Sequence, residues 1–297
     1  MTCPICEHQE SWAIAAVQDP QVEQLRAEKG HDTEHDWRLC QRCGNAYPRH
    51  PPNLHVLQKL WALNRIDSDS TPNQRDKIWA YRRAIARVGG QRSYRLFAPL
   101  ARKTAGRFLD IACGLGETVR AFAVHGWNAE GIDADPSTAL IHSEIGIQAQ
   151  IGQFEELKLA TGYDIIHISH AIYFITKPMR FMRIVREKLA PNGLFCIVLA
   201  DFLANSDHAL PGYVHSFFPT RLSMRYALAL AGFEVVLCRR LSGSIFIAAR
   251  AARKPAMPFV WPRGILLLYR TKTMRYILLG RPYVLLRRTV KRLIGRS

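Results

Sequence analysis

Between residues 96 and 250, short apolar runs alternate with segments whose apolar positions recur at helical spacing. Strands are expected at Arg107–Ile111, Asn128–Ile132, Ile147–Ile151, Tyr163–Ile168, Leu194–Leu199, Phe233–Cys238 and Ser244–Ala248. Amphipathic helices are expected over 115–125, 136–145, 178–190 and 219–231. Strand–helix alternation of this kind predicts the α/β class, with a mostly parallel seven-stranded sheet covered by helices on both faces. Ahead of it, Ile78, Tyr81, Ile85 and Val88 fall on one side of a helix expected to stop at Gly89-Gly90. The pattern divides the chain into four zones: 1–50 with little periodicity, a helical linker 51–95, the alternating domain 96–250, and a tail 251–297.

Charge sharpens the view of the tail. The 297 residues carry a formal charge of +17, yet residues 251–297 hold twelve Lys and Arg with no acid, which leaves +5 on the first 250. Within 261–297, apolar residues such as Ile265, Leu266, Tyr269, Leu278 and Leu285 interleave with those cations, and Gly280 and Pro282 split the stretch into two short helices. Such faces suit either an anionic membrane surface or packing on the rest of the chain. At 48% hydrophobic and 22% charged, the composition supports a sizeable core and excludes a disordered chain or a fibre. No apolar run reaches the roughly 18–20 residues of a membrane span. The opening MTCPICEHQE has early acids and no apolar stretch of a secretory signal, so a cytoplasmic protein is expected, with attachment to the inner membrane face through the tail as its one variation.

Cys3-Pro4-Ile5-Cys6 and Cys40-Gln41-Arg42-Cys43-Gly44 read as two knuckles separated by 33 residues. Each C-x-x-C turn can direct two thiolates at one metal, and four thiolates make the closed tetrahedral set of structural Zn2+. A helix or hairpin is expected between the knuckles, and His31 and His35 are spare ligands. Cys113, Cys196 and Cys238 sit in apolar contexts and are expected as buried free thiols.

The strand at 107–111 runs into Ala112-Cys113-Gly114-Leu115-Gly116-Glu117-Thr118, a turn of small residues that opens a helix. Small residues let a cofactor approach backbone at a helix N-terminus. The next strand ends Gly131-Ile132-Asp133, placing an acid where it can accept both hydroxyls of a ribose. The order D-x-A-x-G-x-G followed by G-I-D resembles the class I S-adenosylmethionine-dependent methyltransferases over roughly residues 96–250. Ile151-Gly152-Gln153-Phe154 resembles that family's adenine-contacting segment, Tyr163 to His170 its fourth strand, and Leu189-Ala190-Pro191-Asn192-Gly193 its turn before the fifth. The resemblance implies a Rossmann-like methyltransferase sheet binding S-adenosyl-L-methionine through Gly114, Gly116, Asp133, Phe154 and Ser169, with Asp110 orienting its amino-acid end. Ala112 replaces a usual glycine, Gln153 a usual acid, and His170-Ala171-Ile172-Tyr173-Phe174 a usual H-x-x-E-H. With the cysteine pairs in front, the chain resembles bacterial small-molecule and sugar methyltransferases that carry an N-terminal zinc-binding, ribbon-like domain.

Methyl transfer needs positioning first, and a base only where the nucleophile loses a proton. Candidates beyond the strand ends are His170 and His215 for chemistry, with Tyr173, Asp201, His208 and Tyr213 nearby in sequence. Ser169-His170-Ala171-Ile172 is not the D/N-P-P-Y/F turn of exocyclic amine methylation, and no Pro-Cys pair is present for cytosine C5 chemistry. Metal-independent methyl transfer, chiefly to oxygen, of a small molecule, glycan or lipid-linked precursor is the expectation. The alternative is an RNA-binding methyltransferase or a non-catalytic binding module. Eight acids against five Lys and Arg in residues 1–50 make nucleic acid the weaker partner.

Overall fold

In the computed structural model, which describes residues 2–18, 34–50, 72–154, 159–205, 215–241 and 243–274, every expected strand of the alternating zone is present. They are β4 (Arg107–Ile111), β5 (Asn128–Asp133), β6 (Gln148–Ile151), β7 (Tyr163–Ser169), β8 (Leu189–Ala200), β9 (Phe233–Leu241) and β10 (Ser244–Ala251). The order is β6-β5-β4-β7-β8-β10-β9, with β10 antiparallel to both neighbours. Reversal of strand order beside β4 opens a crevice at the carboxyl ends of β4 and β7, where ligands of open α/β sheets bind.

The central strands read as continuous apolar runs because both faces are covered. On one face Ile166, Ile168, Phe195 and Ile197 pack with Phe181 and Val185 of α4 (Pro178–Lys188) and Met224 and Leu228 of α5 (Arg221–Leu230). On the other, Ile165 and Cys196 pack with Val119 and Phe122 of α2 (Glu117–Ala123) and Phe97 of α1 (Pro72–Phe97). A short α3 (Ala139–Glu144) precedes β6. Thr220 starts α5 with a reciprocal cap: its hydroxyl accepts from Ser223 N at 3.1 Å, and its own N–H donates to Ser223 Oγ at 2.8 Å.

The N-terminal module is a three-stranded antiparallel sheet of β1 (Ser11–Gln18), β2 (Glu34–Cys40) and β3 (Ala46–Pro48). The expected hairpin between the knuckles is thus β1 against β2. It docks on the segment leading into α5, where Phe218 N–H donates to Ala46 O at 2.7 Å. A helix over 262–274, α6, lays Ile265, Leu266 and Tyr269 on Trp37 and Leu39 of the module and on Phe202. The packing expectation for the tail therefore holds for this face; residues 275–297, with the split at Gly280 and Pro282, lie outside the described residues. Cys113 and Cys196 are buried, and Cys238 half-buried.

One expectation is corrected. The helix does not stop at Gly89-Gly90 but runs on to Phe97. Gly90 is a contact: a Cβ there would meet Glu117 O of α2 at 2.6 Å, whereas a Cβ on Gly89 meets nothing within 4 Å. Without side chains at 89 and 90, a sequence pattern cannot tell a stop from a crossing. Gly89→Ala is accordingly expected to stabilise the protein by about 0.5–1 kcal/mol through helix propensity. Gly90→Ala is expected to destabilise it by forcing the helices apart, and thermal unfolding should rank the three proteins in that order.

Candidate active site and cysteine cluster

The turn after β4 is fixed from three sides. Cys113 N–H donates to Ile132 O at 2.9 Å, Gly114 N–H to Asp133 Oδ2 at 2.6 Å, and His142 Nε2–H of α3 to Gly114 O at 2.7 Å. Ala112 (φ 55°), Gly114 (φ 53°) and Gly116 (φ 74°) all take left-handed backbone, so Ala112 holds a conformation that an alanine adopts at a cost of about 1–2 kcal/mol. Space at Gly114 is open, with nothing within 4 Å of an added Cβ. Gly116 instead faces Ile147, whose Cδ1 would lie 2.1 Å from its Cβ, and it lines neither cavity described next.

Two cavities meet at this turn. One, about 280 Å³, lies between Asp133, Gln153, Phe154 and Phe174. The other, about 660 Å³, lies between the turn, Asp110 and α1, and takes in Gly114, Ser93 and the exposed side chains of Tyr81, Ile85 and Val88. Ala112, Ser169 and His170 line both. The expected ligand residues are thereby sorted: Asp133 and Phe154 to the first cavity, Asp110 and Gly114 to the second, and Ser169 to the junction. The Asp133 carboxylate also accepts from Asp135 N–H at 2.9 Å, which uses two of its roughly four acceptor positions. Burial pushes its pKa up, against the pull of those two amides.

Asp110 is anchored by a residue that the sequence reading missed. His167 of β7, fully buried, bonds Asp110 Oδ1 through Nδ1 at 2.7 Å and Ser93 Oγ of α1 through Nε2 at 3.2 Å. A lone histidine in the run Ile165-Ile166-His167-Ile168 carried no local sign of a partner. Only its inward position, two residues after Ile165 on the same face, could have pointed at the α1 side.

The two candidate histidines separate. His170, with left-handed backbone (φ 52°), stands at the cavity junction, Nδ1 3.3 Å from Tyr173 Oη and Nε2 3.4 Å from Ser244 Oγ. Protein packed around it lowers its pKa. His215 lines neither cavity; its ring stacks on Tyr173 at 4.4 Å among Phe174 and Phe218, and its buried Nδ1 has no hydrogen-bond partner. Asp201 is committed to Arg240 and to the N–H of Leu203. His208 and Tyr213 lie outside the described residues.

Sulfurs of Cys3, Cys6, Cys40 and Cys43 all lie within 4.8 Å of one another. Cys3 and Cys43 are 3.6 Å apart, Cys6 and Cys40 3.5 Å. Four sulfurs at about 2.3 Å from a tetrahedral Zn2+ would stand about 3.8 Å apart, so the donor set and its spacing fit that ion. Hydrogen bonding among the sulfurs pushes Cys40 and Cys6 below the usual thiol value and Cys3 and Cys43 above it. The spare candidates His31 and the His35 side chain lie outside the described residues.

A family profile described as "Methyltransferase domain" matches residues 78–237. Among solved structures, the chain is similar to a putative methyltransferase of Haloferax volcanii in complex with a methyltransferase activator, at 13% identity and TM-score 0.49, covering 57% of this chain and 95% of that one. It is also similar to the CcbJ methyltransferase of Streptomyces caelestis (15%, TM-score 0.47, 55% and 89%) and to an S-adenosylmethionine-dependent methyltransferase of Mesorhizobium loti (18%, TM-score 0.44, 51% and 96%). No curated protein matches.

Burial pushes the His215 pKa down to about 3, from an ordinary 6.5. Between these values the unfolded ring takes a proton that the folded ring refuses, so stability falls as pH drops below 6.5 and continues to fall toward 3. Urea unfolding at about pH 7 and pH 5 should show a smaller acid loss in His215→Phe than in the parent. An equal loss in both would place the histidine in water.

Proposed function

Because the chain belongs to the methyltransferase-domain family, we propose that it uses S-adenosylmethionine to methylate an oxygen of a small molecule, glycan or lipid-linked precursor without a metal at the reacting centre. The observation that carries this is the meeting of two cavities at Ser169 and His170, one walled by Asp133 and Phe154, the other by Asp110 and α1. When bound, S-adenosylmethionine supplies an electrophilic methyl group on a sulfonium. Asp133 has acceptor positions left for ribose hydroxyls, Phe154 offers an apolar wall to the adenine, and Asp110, fixed by His167, presents negative charge to the amino-acid end. Open space over Gly114 leaves backbone within reach of a ligand.

The acceptor belongs in the remainder of the larger cavity, against Tyr81, Ile85 and Val88, which favours a molecule with an apolar portion. His170 would take the hydroxyl proton as the acceptor oxygen displaces the methyl group, with the S–CH3 bond of the sulfonium breaking and S-adenosylhomocysteine leaving as the neutral thioether. Its lowered pKa keeps the imidazole neutral, and able to accept, to lower pH than a free histidine. With Asp201 paired to Arg240, the acid nearest the end of β8 is engaged rather than poised for a cation. His215 serves as part of the aromatic wall behind Tyr173.

Two variants test the reading. Asp133→Ala should weaken S-adenosylmethionine binding by roughly 1.5–3 kcal/mol in calorimetry, as for lost hydrogen bonds to a charged group. His170→Gln should lower kcat by about a hundredfold with little change in cofactor affinity, and abolish an acid limb that lies below pH 6.5 in the parent. Unchanged affinity in the first variant and an unchanged pH profile in the second would refute these roles.

The four cysteines are proposed to hold one structural Zn2+, supported by the sulfur spacing. Metal analysis should find about one zinc per chain, lost together with module folding in Cys40→Ser. Full zinc retention in that variant would exclude this ligand set.

A further inference from the structure

The chain that leads from β10 into the first residue of α6, Lys254-Pro255-Ala256-Met257-Pro258-Phe259-Val260-Trp261-Pro262, has an unusual distribution of exposure. Met257 is 47% exposed, Phe259 85% and Trp261 60%, while Val260 packs toward the cysteine module. Alternation of this kind belongs to extended chain, whose side chains at i, i+2 and i+4 share one side. Three prolines fix the backbone dihedral at their positions, so the three large apolar side chains are presented by a stiff strap. Its far end is held closely: a Cβ on Gly264 would lie 2.2 Å from the Trp261 ring, so the indole rests on the bare first turn of α6.

Helix α6, which follows the strap directly, also leaves apolar side chains exposed. At 100° per residue, Ile265, Leu266 and Tyr269 form the inward face, and Arg263, Leu267, Arg270 and Met274 form the outward one. Leu267 is 62% exposed and Met274 54%, flanked by two exposed arginines. Arg253 and Lys254, also exposed, stand at the start of the strap. Among the described residues no helix is long and apolar enough to cross a membrane.

We propose that this strap and the outward face of α6 dock on the surface of an anionic lipid bilayer, with Met257, Phe259, Trp261 and Leu267 entering the acyl boundary and the cations meeting lipid phosphates. Charge carries the choice of partner. From residue 251 onward there are twelve Lys and Arg and no Asp or Glu, and seven of these cations follow α6 in sequence. Aromatic tips bordered by Arg and Lys satisfy both halves of interfacial binding, apolar burial and attraction to anionic headgroups. Phosphates of a nucleic acid would reward the cations but leave Leu267 and Met274 in water.

The test is co-sedimentation of the full-length, zinc-loaded protein with vesicles of phosphatidylcholine, alone or mixed with phosphatidylglycerol. Binding is expected to the mixed vesicles and to fall with salt. Phe259→Ser combined with Leu267→Ser should weaken it by about tenfold or more. Arg263→Gln and Arg270→Gln should each weaken it about fivefold. Brominated lipid should quench emission that Trp261→Phe removes. All these positions are exposed and outside both cavities, so cofactor affinity should stay at the parent value and report intact folding. Failure to pellet with mixed vesicles, pelleting that the variants leave unchanged, or loss of the variants' effect to self-association or to RNA binding would each overturn the proposal. None of these readouts involves methyl transfer, so a failed enzymatic reading and a failed membrane reading would be told apart.

Discussion

The hydrogen bond from Gly114 N–H to Asp133, 2.6 Å long, is the contact on which the site's arrangement depends. It closes the turn after β4 onto the tip of β5, and it forms only because these strands run parallel with Asp110 opposite Gly131. Gly131 has no side chain to interfere: a Cβ there would lie 2.7 Å from Cys113 Sγ, so the thiol settles over bare backbone. Once Cys113 is seated, its N–H reaches Ile132 O, and the carboxylate takes the next amide along. The cavities then open on either side of Ala112, one on Asp133 and the other on Asp110.

Two different kinds of information in the chain account for what could be read from it. The central strands were legible because a sheet covered on both faces demands unbroken apolar runs, and the expected strands start within a residue or so of the observed ones except at β8, which also takes in the turn 189–193. Asp133 and Gly114 were legible because a turn and an acid lie at a fixed distance along a βαβ unit. His142 and His167 were not, since their partners are 28 and 57 residues away. Nothing near either histidine in sequence distinguishes a bonded ring from a loosely buried one. Gly90 failed for a related reason: its meaning lies in Glu117 on another helix.

His170 and His215 show how far environment outweighs residue type. Both follow strands or loops at the same edge, and both rings lie near Tyr173. His170 finds polar neighbours on both nitrogens at the rim of the cavities. His215 is stacked among aromatic rings with an orphaned nitrogen, where a charge has nothing to balance it. A base must exchange protons with a ligand, so only the first position can serve one.

Beneath these rings lies the cysteine module, and its knuckle glycine shows why the module belongs to this enzyme rather than merely preceding it. Gly44 takes left-handed backbone (φ 64°) immediately after Cys43, and a Cβ there would lie 2.4 Å from Ile265 Cδ1 and 3.3 Å from Val260. Both α6 and the strap therefore rest on the knuckle itself. On its other side, Ala46 pairs with Phe218, which packs edge-on to Tyr173 at 6.1 Å. The position of the four sulfurs is thus linked, through direct packing, to the strap on one side and to the partner of His170 on the other. A metal held by four sulfurs has no open coordination position for a substrate. Its contribution to catalysis would then be mechanical: it would keep the knuckle, and with it both neighbouring surfaces, in one place.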